Sequence, residues 1–209
     1  MKYIFTLIML LITISVSFAQ SKIIRPDTVI CNDVFTSYYS IKYHCPLVVQ
    51  YRLYQGGGDC QRGSTTFKAT PITATSRDYA ASGYDSGHMC NAEDMAYDCA
   101  KQKLTFSYYN CVPQTPALNR GSWKAMENVV RKLSQKDSLI VTCGSVFGAN
   151  PMKIGHMYIP IAYWKVVQSA RTKKVLLAVM YTNTKTNPLT TVVSASRNAH
   201  IKRGMSYTN

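Results

Sequence analysis

Acidic residues are scarce in this chain of 209 residues: Asp and Glu total 10, whereas Lys and Arg total 24. The resulting formal net charge of +14 favours polyanionic partners, namely nucleic acid, anionic lipid or acidic polysaccharide, without choosing among them. No internal repeat is present, which argues against a solenoid or a fibre. Hydrophobic residues make up 46% of the chain, enough for a real core, so a disordered tail is excluded as well.

Apolar runs long enough to span a bilayer are missing after residues 1–19. Those first residues carry Lys2, a mostly apolar run and a Ser17-Phe18-Ala19 end, which is typical of a secretory signal peptide cleaved before Gln20. A retained N-terminal anchor is the alternative. The prediction is a secreted protein, periplasmic or extracellular, with a single domain over residues 20–209, a core at about 46–182 and no membrane association after cleavage.

Short metal-binding spacings such as C-x-x-C and H-x-x-x-H are also missing, which argues against a zinc site. Seven cysteines in an exported chain instead favour disulfides, because the compartment is oxidising. The sequence leaves their pairing open, and the odd number leaves one cysteine unpaired or bonded to another chain. A bridge among Cys90, Cys99 and Cys111 would stiffen the region discussed below.

Strand patterns dominate the chain. The N-terminal residues 20–45 are predicted to be irregular and to wrap the domain edge. A glycine run at Gly56–Gly58 ends the first strand, and residues 61–84 are predicted to form a long surface loop carrying Arg62, Lys68 and Arg77. Apolar, β-branched runs predict strands at 46–54, 138–147, 157–167 and 175–182. The polar tail from residue 183 gives no firm signal.

One amphipathic helix is predicted over residues 119–136. Its apolar stripe consists of Trp123, Met126, Val130 and Leu133. Asn119 and Glu127 lie eight residues apart on this helix and so share one side of it.

Three short segments carry the candidate chemistry: Tyr84–Met89 (YDSGHM), Tyr109–Gln114 (YNCVPQ) and Leu118–Trp123 (LNRGSW). Each is weak alone. A lone His88 is more often a packed or surface residue, and Asn119 alone would be a helix N-cap. Glu127 and Arg62, taken singly, would be solvated charges.

The order and spacing of these segments resemble the DNA/RNA non-specific endonuclease family of the ββα-metal (His-Me finger) nucleases. That family is similar in having Asp-Arg-Gly-His, Asn-x-x-Pro-Gln and Asn-Arg-Gly-x-Trp boxes, followed by a glutamate on the helix. The matching residues here are Asp85, Gly87, His88, Asn110, Pro113, Gln114, Asn119, Arg120, Gly121, Trp123 and Glu127. The resemblance covers most of residues 46–182. It implies an α+β fold with a central, mainly antiparallel sheet, helices and a ββα-metal active-site motif.

The resemblance also implies roles for individual residues. His88 is expected to act as general base, since its ordinary pKa lies near working pH. Asn119 is expected to be the direct protein ligand of Mg²⁺, with Mn²⁺ as a second candidate, and Glu127 to accept hydrogen bonds from the water around the ion. Asn110, as a catalytic residue, and Gln114, as a substrate-binding residue, are expected to orient the site.

Arginines complete the expected site. Arg62 fits the family's arginine that contacts phosphate ahead of the histidine box, and Arg120 is a further phosphate-binding candidate. This chain departs from the family at Ser86, where the histidine box usually has arginine. Losing that cation should weaken stabilisation of the transition state unless Arg120, Arg77 or Lys68 supplies the charge.

The predicted function is that of a secreted, Mg²⁺-dependent, sugar-non-specific endonuclease that hydrolyses DNA and RNA to 5′-phosphate ends. No base-reading motif is visible, so binding should be driven by phosphate and depend strongly on salt. Two alternatives remain open: a nucleic-acid-binding protein whose catalysis is weakened by Ser86, and a basic envelope protein that binds acidic polysaccharide. Also left open are a protein inhibitor as partner and the oligomeric state.

Overall fold

The structure is a computed structural model that describes residues 24–186, 188–195 and 206–207. The predicted signal peptide and its cleavage site lie outside the described residues. Among the helices that are described, none has the length and apolar character needed to cross a membrane.

The described chain has the α+β architecture predicted above. The strands are β1 (Thr28–Cys31), β2 (Phe35–Ser40), β3 (Cys45–Leu53), β4 (Asp85–His88), β5 (Cys111–Gln114), β6 (Leu139–Val146), β7 (Lys153–Ile154), β8 (Met157–Tyr158), β9 (Ala162–Ser169), β10 (Val175–Thr182), β11 (Thr190–Ala195) and β12 (Ser206–Tyr207). The helices are α1 (Ser76–Tyr79), α2 (Cys99–Leu104) and α3 (Lys124–Ser134), with 3-10 turns at Glu93–Met95 and Tyr108–Asn110 and an irregular helical segment at Leu118–Trp123.

Eight of these strands form one sheet in the order β1-β2-β3-β6-β9-β10-β11-β12. Neighbouring strands are antiparallel except for the β11–β12 pair, which is parallel. Strands β4 and β5 form a separate antiparallel pair, as do β7 and β8. The large sheet is therefore mainly antiparallel, as predicted.

The core lies between this sheet and the helix. Successive inward-facing residues of β9, such as Tyr163 and Val167, are buried because side chains alternate between the two faces of a strand. They belong to the same core as Trp123, Met126 and Val130, so the predicted apolar stripe of the helix is confirmed. Packing the stripe against the sheet fixes the helix, and with it the residues on the helix's other side.

The N-terminal prediction was wrong, since β1 and β2 extend the sheet where an irregular segment was expected. In β2 the buried side chains of Phe35, Ser37 and Tyr39 alternate with more exposed ones. The sequence did not show this alternation clearly, because Ser37 is a polar residue at a buried position. Its hydroxyl group donates a hydrogen bond to the carbonyl oxygen of Tyr109, which makes burial of the polar group acceptable.

Two further boundaries differ from the prediction. The run at 157–167 is divided into β8 and β9, because the chain leaves the extended ladder around Pro160, which has no backbone N–H to donate. The tail, which gave no firm signal, contains β11, paired with β10. Its polar residues Thr190 and Thr191 obscured the strand pattern.

Candidate active site

A ββα unit carries the predicted site residues. Strand β4 pairs with β5 so that His88 lies opposite Cys111, and the helical segment from Leu118 follows. The indole N–H of Trp123 donates a hydrogen bond of 3.2 Å to the backbone oxygen of His88. Because the Trp123 ring is fully buried in the core, this bond ties the histidine strand to the helix.

The helix is less regular at its start than the sequence predicts. Gly121 has φ −104° and ψ −106°, outside the helical range, and regular α-helix begins at Lys124. The backbone N–H of Asn119 donates to the carbonyl oxygen of Thr115, so Asn119 lies within the helical segment and is not its N-cap. Its side chain is therefore free of the capping role.

One cleft of about 780 Å³ collects residues from distant parts of the chain. Of the predicted site residues, it is lined by Arg62, His88, Asn119, Arg120 and Glu127. The other lining residues are Phe67, Ser86, Asn91, Glu93, Phe106, Lys124, Asn128 and Arg131. Asn110 and Gln114 do not line it. The irregular turn at Gly121 does not prevent Asn119 and Glu127 from facing the same space.

His88 sits between two aromatic rings. Its ring centroid lies 4.7 Å from that of Phe67 and 4.8 Å from that of Phe106. Burial lowers the pKa of His88 to about 3, with a smaller contribution from the nearby Arg62 cation, so the imidazole is neutral at pH 7. Nε2 is buried without a hydrogen-bond partner among the described residues. Nδ1 is not among the buried unpaired atoms and makes no hydrogen bond within the described chain, so it is the nitrogen open to proton transfer.

Asp85 organises the side chains of Asn119 and Arg120, although sequence reasoning assigned it no role. Its carboxylate accepts a hydrogen bond of 2.9 Å from Asn119 Nδ2 and two from Arg120, at 2.7 and 2.8 Å. Burial tends to raise the pKa of Asp85, but these hydrogen bonds outweigh it and leave the pKa below its ordinary value. Since Nδ2 is committed to Asp85, Oδ1 is the Asn119 atom left to bind a cation.

Asn110 lies beneath the site rather than in it. Its fully buried amide makes three hydrogen bonds to main chain: Nδ2 donates to the carbonyl oxygens of Cys90 and Thr105, and Oδ1 accepts from Cys90 N–H. These bonds hold the segment that follows His88 against the turn before β5. A direct catalytic role for Asn110 stays a prediction, while its position is that of a framework residue.

Gln114 is also buried and packs below Gly87 of the histidine box. A Cβ atom at position 87 would lie 2.2 Å from Gln114 Oε1, so any larger residue there would displace the Gln114 side chain. The amide nitrogen and oxygen of Gln114 have no hydrogen-bond partner among the described residues. Its predicted role in orienting the site is compatible with this place directly under β4.

Glu127 is buried at the floor of the cleft and belongs to a charged network that the sequence did not reveal. Burial raises its pKa, and the nearby positive charge of Lys165 opposes this effect. Asp94 accepts hydrogen bonds of 2.8 Å from Tyr51 and Arg131, and burial raises its pKa too. The sequence did contain a signal for Lys165, another residue of this network. It falls at an inward-facing position in the alternating pattern of β9.

A disulfide holds the loop that carries Arg62. Cys60 bonds to Cys99 at the start of α2, and Gln102 donates a side-chain hydrogen bond of 3.0 Å to the Cys60 carbonyl oxygen. Arg62, two residues further on, is thereby kept beside the cleft. The bridge considered above among Cys90, Cys99 and Cys111 is therefore not formed, because Cys99 pairs with Cys60. Free thiols are found at Cys31, Cys45, Cys90, Cys111 and Cys143.

The donor set fits a hard cation better than zinc. Within the described ranges, no group of three or more His, Cys, Asp or Glu side chains could hold a metal ion. The cleft instead offers the amide oxygen of Asn119 and the carboxylate of Glu127. Oxygen donors in small number suit Mg²⁺ or Mn²⁺, of which Mg²⁺ in particular keeps several of its waters.

Ser86 lines the cleft in place of the family arginine. Of the three residues expected to compensate, Arg120 lines the cleft, whereas Arg77 and Lys68 do not. The sequence did not point to the other cations that line it, Lys124 and Arg131.

The ββα unit and the antiparallel sheet together define an α+β fold of the ββα-metal class. The family model described as DNA/RNA non-specific endonuclease matches residues 19–209, and the chain belongs to this family. A "Nuclease" from Nostoc sp. is 32% identical over 107 residues, which is 51% of this chain and 39% of that protein. Human "Endonuclease G, mitochondrial" is 31% identical over 87 residues, or 41% of this chain and 29% of that protein.

The aligned region thus spans well under half the length of these relatives. Among solved structures, the crystal structure of the EndoG/EndoGI complex is similar with a TM-score of 0.67. The match covers 78% of this chain and 79% of that chain, at 24% sequence identity. At this identity the likeness establishes the fold.

Proposed function

We propose that the protein is a secreted, metal-dependent endonuclease that hydrolyses phosphodiester bonds of DNA and RNA and leaves 5′-phosphate ends. The observation that carries the proposal is the convergence of His88, Asn119, Glu127 and Arg62 on one cleft. These residues supply a neutral base, an amide oxygen, a carboxylate and a cation. They come from a loop, a strand and a helical segment, so only the pairing of Asn119 with Glu127 is a consequence of local sequence.

His88 is the proposed general base. A neutral imidazole with an accessible Nδ1 can take a proton from an attacking water molecule. Its low pKa makes it a weak base by itself. A phosphodiester bound beside Arg62 brings negative charge close to His88, which offsets the Arg62 cation and moves the pKa upward toward working pH.

Arg62 and Arg120 are the proposed phosphate-binding groups. Both line the cleft, and a guanidinium group can donate two parallel hydrogen bonds to phosphate oxygens. Asn119 and Glu127 are the residues that would hold Mg²⁺ or Mn²⁺ and its water. When bound, the ion would supply positive charge to the phosphate as negative charge builds up on it.

The proposed substrates are DNA and RNA without sequence preference, because contacts to phosphate are the same for every base. The signal peptide predicted at residues 1–19 and the Cys60–Cys99 disulfide support an oxidising, extracytoplasmic location. A protein inhibitor that covers the cleft is a further proposed partner, in keeping with the EndoG/EndoGI complex among the similar structures.

The test incubates the mature protein with circular plasmid DNA and with RNA, in Mg²⁺ and in EDTA. The proposal expects metal-dependent cleavage of both polymers by wild type and by His156→Ala, and none by His88→Ala. His156 is a suitable control because its side chain is 74% exposed and does not line the cleft. Product strands should accept a 5′ label only after phosphatase treatment.

Binding of nucleic acid without cleavage, across several divalent metals, would instead support the weakened nuclease with Ser86. Ser86→Arg would then be the variant to compare. Binding of acidic polysaccharide in preference to nucleic acid, without cleavage, would favour the envelope protein.

A further inference from the structure

A second groove, here called the tyrosine groove, lies apart from the residues of the proposed active site. Its volume is about 430 Å³, and it is lined by Arg52, Leu53, Tyr54, Gln55, Tyr97 and Ser138. None of these six residues lines the active-site cleft. Tyr54 is 56% exposed and Tyr97 is 50% exposed. Aromatic side chains mainly form cores, so two half-exposed rings in one groove indicate a surface made for contact.

The chain turns sharply directly after Tyr54, and this turn fixes the position of the ring. Gln55 has φ +49°, in the left-handed region that residues other than glycine rarely adopt. Ser134 of α3 holds the turn: its carbonyl oxygen accepts a hydrogen bond of 2.9 Å from the Gln55 N–H, and its Oγ accepts one of 3.1 Å from the Gly56 N–H. Such backbone strain persists only where surrounding structure enforces it, and it is concentrated at functional sites.

Two contacts hold the Tyr97 ring in place. Its hydroxyl group donates to the sulfur atom of the buried Met95 at 3.7 Å. The ammonium nitrogen of Lys101 lies 5.4 Å from the ring centroid, in cation–π contact. A ring that is already fixed loses little conformational entropy when a flat group stacks on its exposed surface. Tyr97 is therefore preorganised for such a ligand.

Positive charge accompanies the two rings. Arg52 lines the groove and Lys101 covers Tyr97, and neither cation forms an ion pair within the described chain. The neighbouring carboxylate of Asp98 is used at the start of α2, where it accepts hydrogen bonds from the N–H groups of Ala100 and Lys101. Proteins bind single-stranded nucleic acid with these same elements, because aromatic rings stack on bases and cations contact phosphates.

The tyrosine groove lies close to the active-site cleft along two segments of the chain. Arg131 lines the cleft, and Ser134, about 5 Å further along the axis of α3, holds the turn after Tyr54. In the second segment, Glu93 lines the cleft and Tyr97 lies four residues further on. This proximity favours a ligand that occupies both places, which a nucleic acid strand is long enough to do.

We propose that the tyrosine groove is a second binding site for single-stranded nucleic acid, where Tyr54 and Tyr97 stack on unpaired bases and Arg52 contacts phosphate. Between Lys124, which lines the cleft, and Ser134, α3 rises about 15 Å. A strand spans this distance with about five nucleotides at a spacing of about 3.4 Å, so shorter strands cannot occupy both places. That the bound strand is also the enzyme's substrate rests on the proposed function.

The direct test measures binding of a fluorescent DNA single strand of about 12 nucleotides in EDTA. Tyr54→Ala and Tyr97→Ala should each raise Kd by about 5- to 100-fold, the effect of losing one stacked base. The corresponding Tyr→Phe variants keep the ring and should bind as wild type. Tyr38→Ala is the matched control, since Tyr38 is an exposed tyrosine that lines neither the groove nor the cleft. Equal affinities for wild type and both alanine variants overturn the inference and leave a protein as the ligand to test.

Strand length and salt concentration provide a second test. Wild type should bind the strand of about 12 nucleotides more tightly than one of about 4, and Tyr54→Ala should lose most of this difference. Arg52→Met should reduce the slope of log affinity against log salt concentration by about 0.7, the share of one phosphate contact on a single strand. Arg25→Met removes an exposed arginine that lines neither site and should keep the slope. A length dependence that Tyr54→Ala retains in full overturns the inference.

These measurements separate the inference from the proposed function. Because both rings are half-exposed, the alanine variants should fold and keep the Tm of wild type. If wild type cleaves nucleic acid but the alanine variants bind the longer strand equally well, the inference fails and the proposed function stands. If wild type cleaves nothing while its binding depends on Tyr54 and Tyr97, the proposed function fails and the tyrosine groove stands. Absence of any binding overturns both.

Discussion

Replacing Asp85 with alanine should leave Asn119 and Arg120 without the carboxylate that orients them. The change removes the acceptor of Asn119 Nδ2 and of the Arg120 guanidinium group. A lost hydrogen bond to a charged acceptor costs about 1.5–3 kcal/mol. The Arg120 pair adds little because its side chain is 72% exposed. At about 2 kcal/mol, Tm should fall by about 4 to 8 °C for a domain of this size.

The effect should also depend on pH and on metal. The pKa of Asp85 is lowered in the folded protein, so its stabilisation is present above the ordinary value of 3.8 and is lost as pH falls below it. The difference in Tm between wild type and variant should therefore close in acid. Because Asn119 loses its orientation, the Mg²⁺ concentration for half-maximal cleavage should rise by about 10- to 100-fold.

Thermal unfolding at pH 7 and pH 3, with Mg²⁺ titrations of plasmid cleavage, measures both effects. Asp33→Ala is the matched control, since it removes one exposed carboxylate with no ion pair in the described chain. Equal Mg²⁺ requirements for Asp85→Ala and Asp33→Ala would refute the assignment of Asp85 as the residue that orients Asn119.

Three further changes test the surroundings of the site. Cys60→Ser removes the disulfide and should cost about 3 kcal/mol of unfolding free energy and raise KM; Cys31→Ser, an exposed free thiol, should do neither. Arg62→Gln should raise both KM and the pKa of His88, because the lost cation lowers that pKa; an unchanged histidine titration by NMR would contradict this. Asn110→Ala leaves the buried N–H and carbonyl groups of Cys90 unpaired, while the Thr105 carbonyl oxygen still accepts from Ser107 N–H; it should cost about 3 kcal/mol or more, measured by urea unfolding.

The sequence predicted the centre of the fold better than its edges. β3, β6 and β10 are rich in apolar and β-branched residues, and each appears within one residue of its predicted bounds. At the edges, β2 and β11 carry serine or threonine where the pattern needs apolar residues, and their pairing comes from neighbouring strands. Such tertiary effects leave little trace in local periodicity.

The residues of the site were also predicted with unequal success. The three boxes led to His88, Asn119 and Glu127, which meet in the cleft, but they could not distinguish these from Asn110, whose amide is used entirely on main chain. Both kinds of residue belong to the same motif, and only the hydrogen-bond pattern distinguishes their roles. Lys165 was missed because a single lysine in an apolar strand is ordinarily expected to reach solvent.

Ser86 changes where the positive charge of the cleft comes from. Four cations line it, but Asp85 pairs with Arg120 and Asp94 with Arg131, whereas Arg62 and Lys124 form no ion pair within the described chain. A phosphate in this cleft therefore depends chiefly on those two unpaired charges. Arg62 is held there by a loop that a disulfide fastens, so reduction should weaken phosphate binding in this chain more than in relatives that carry an arginine inside the histidine box.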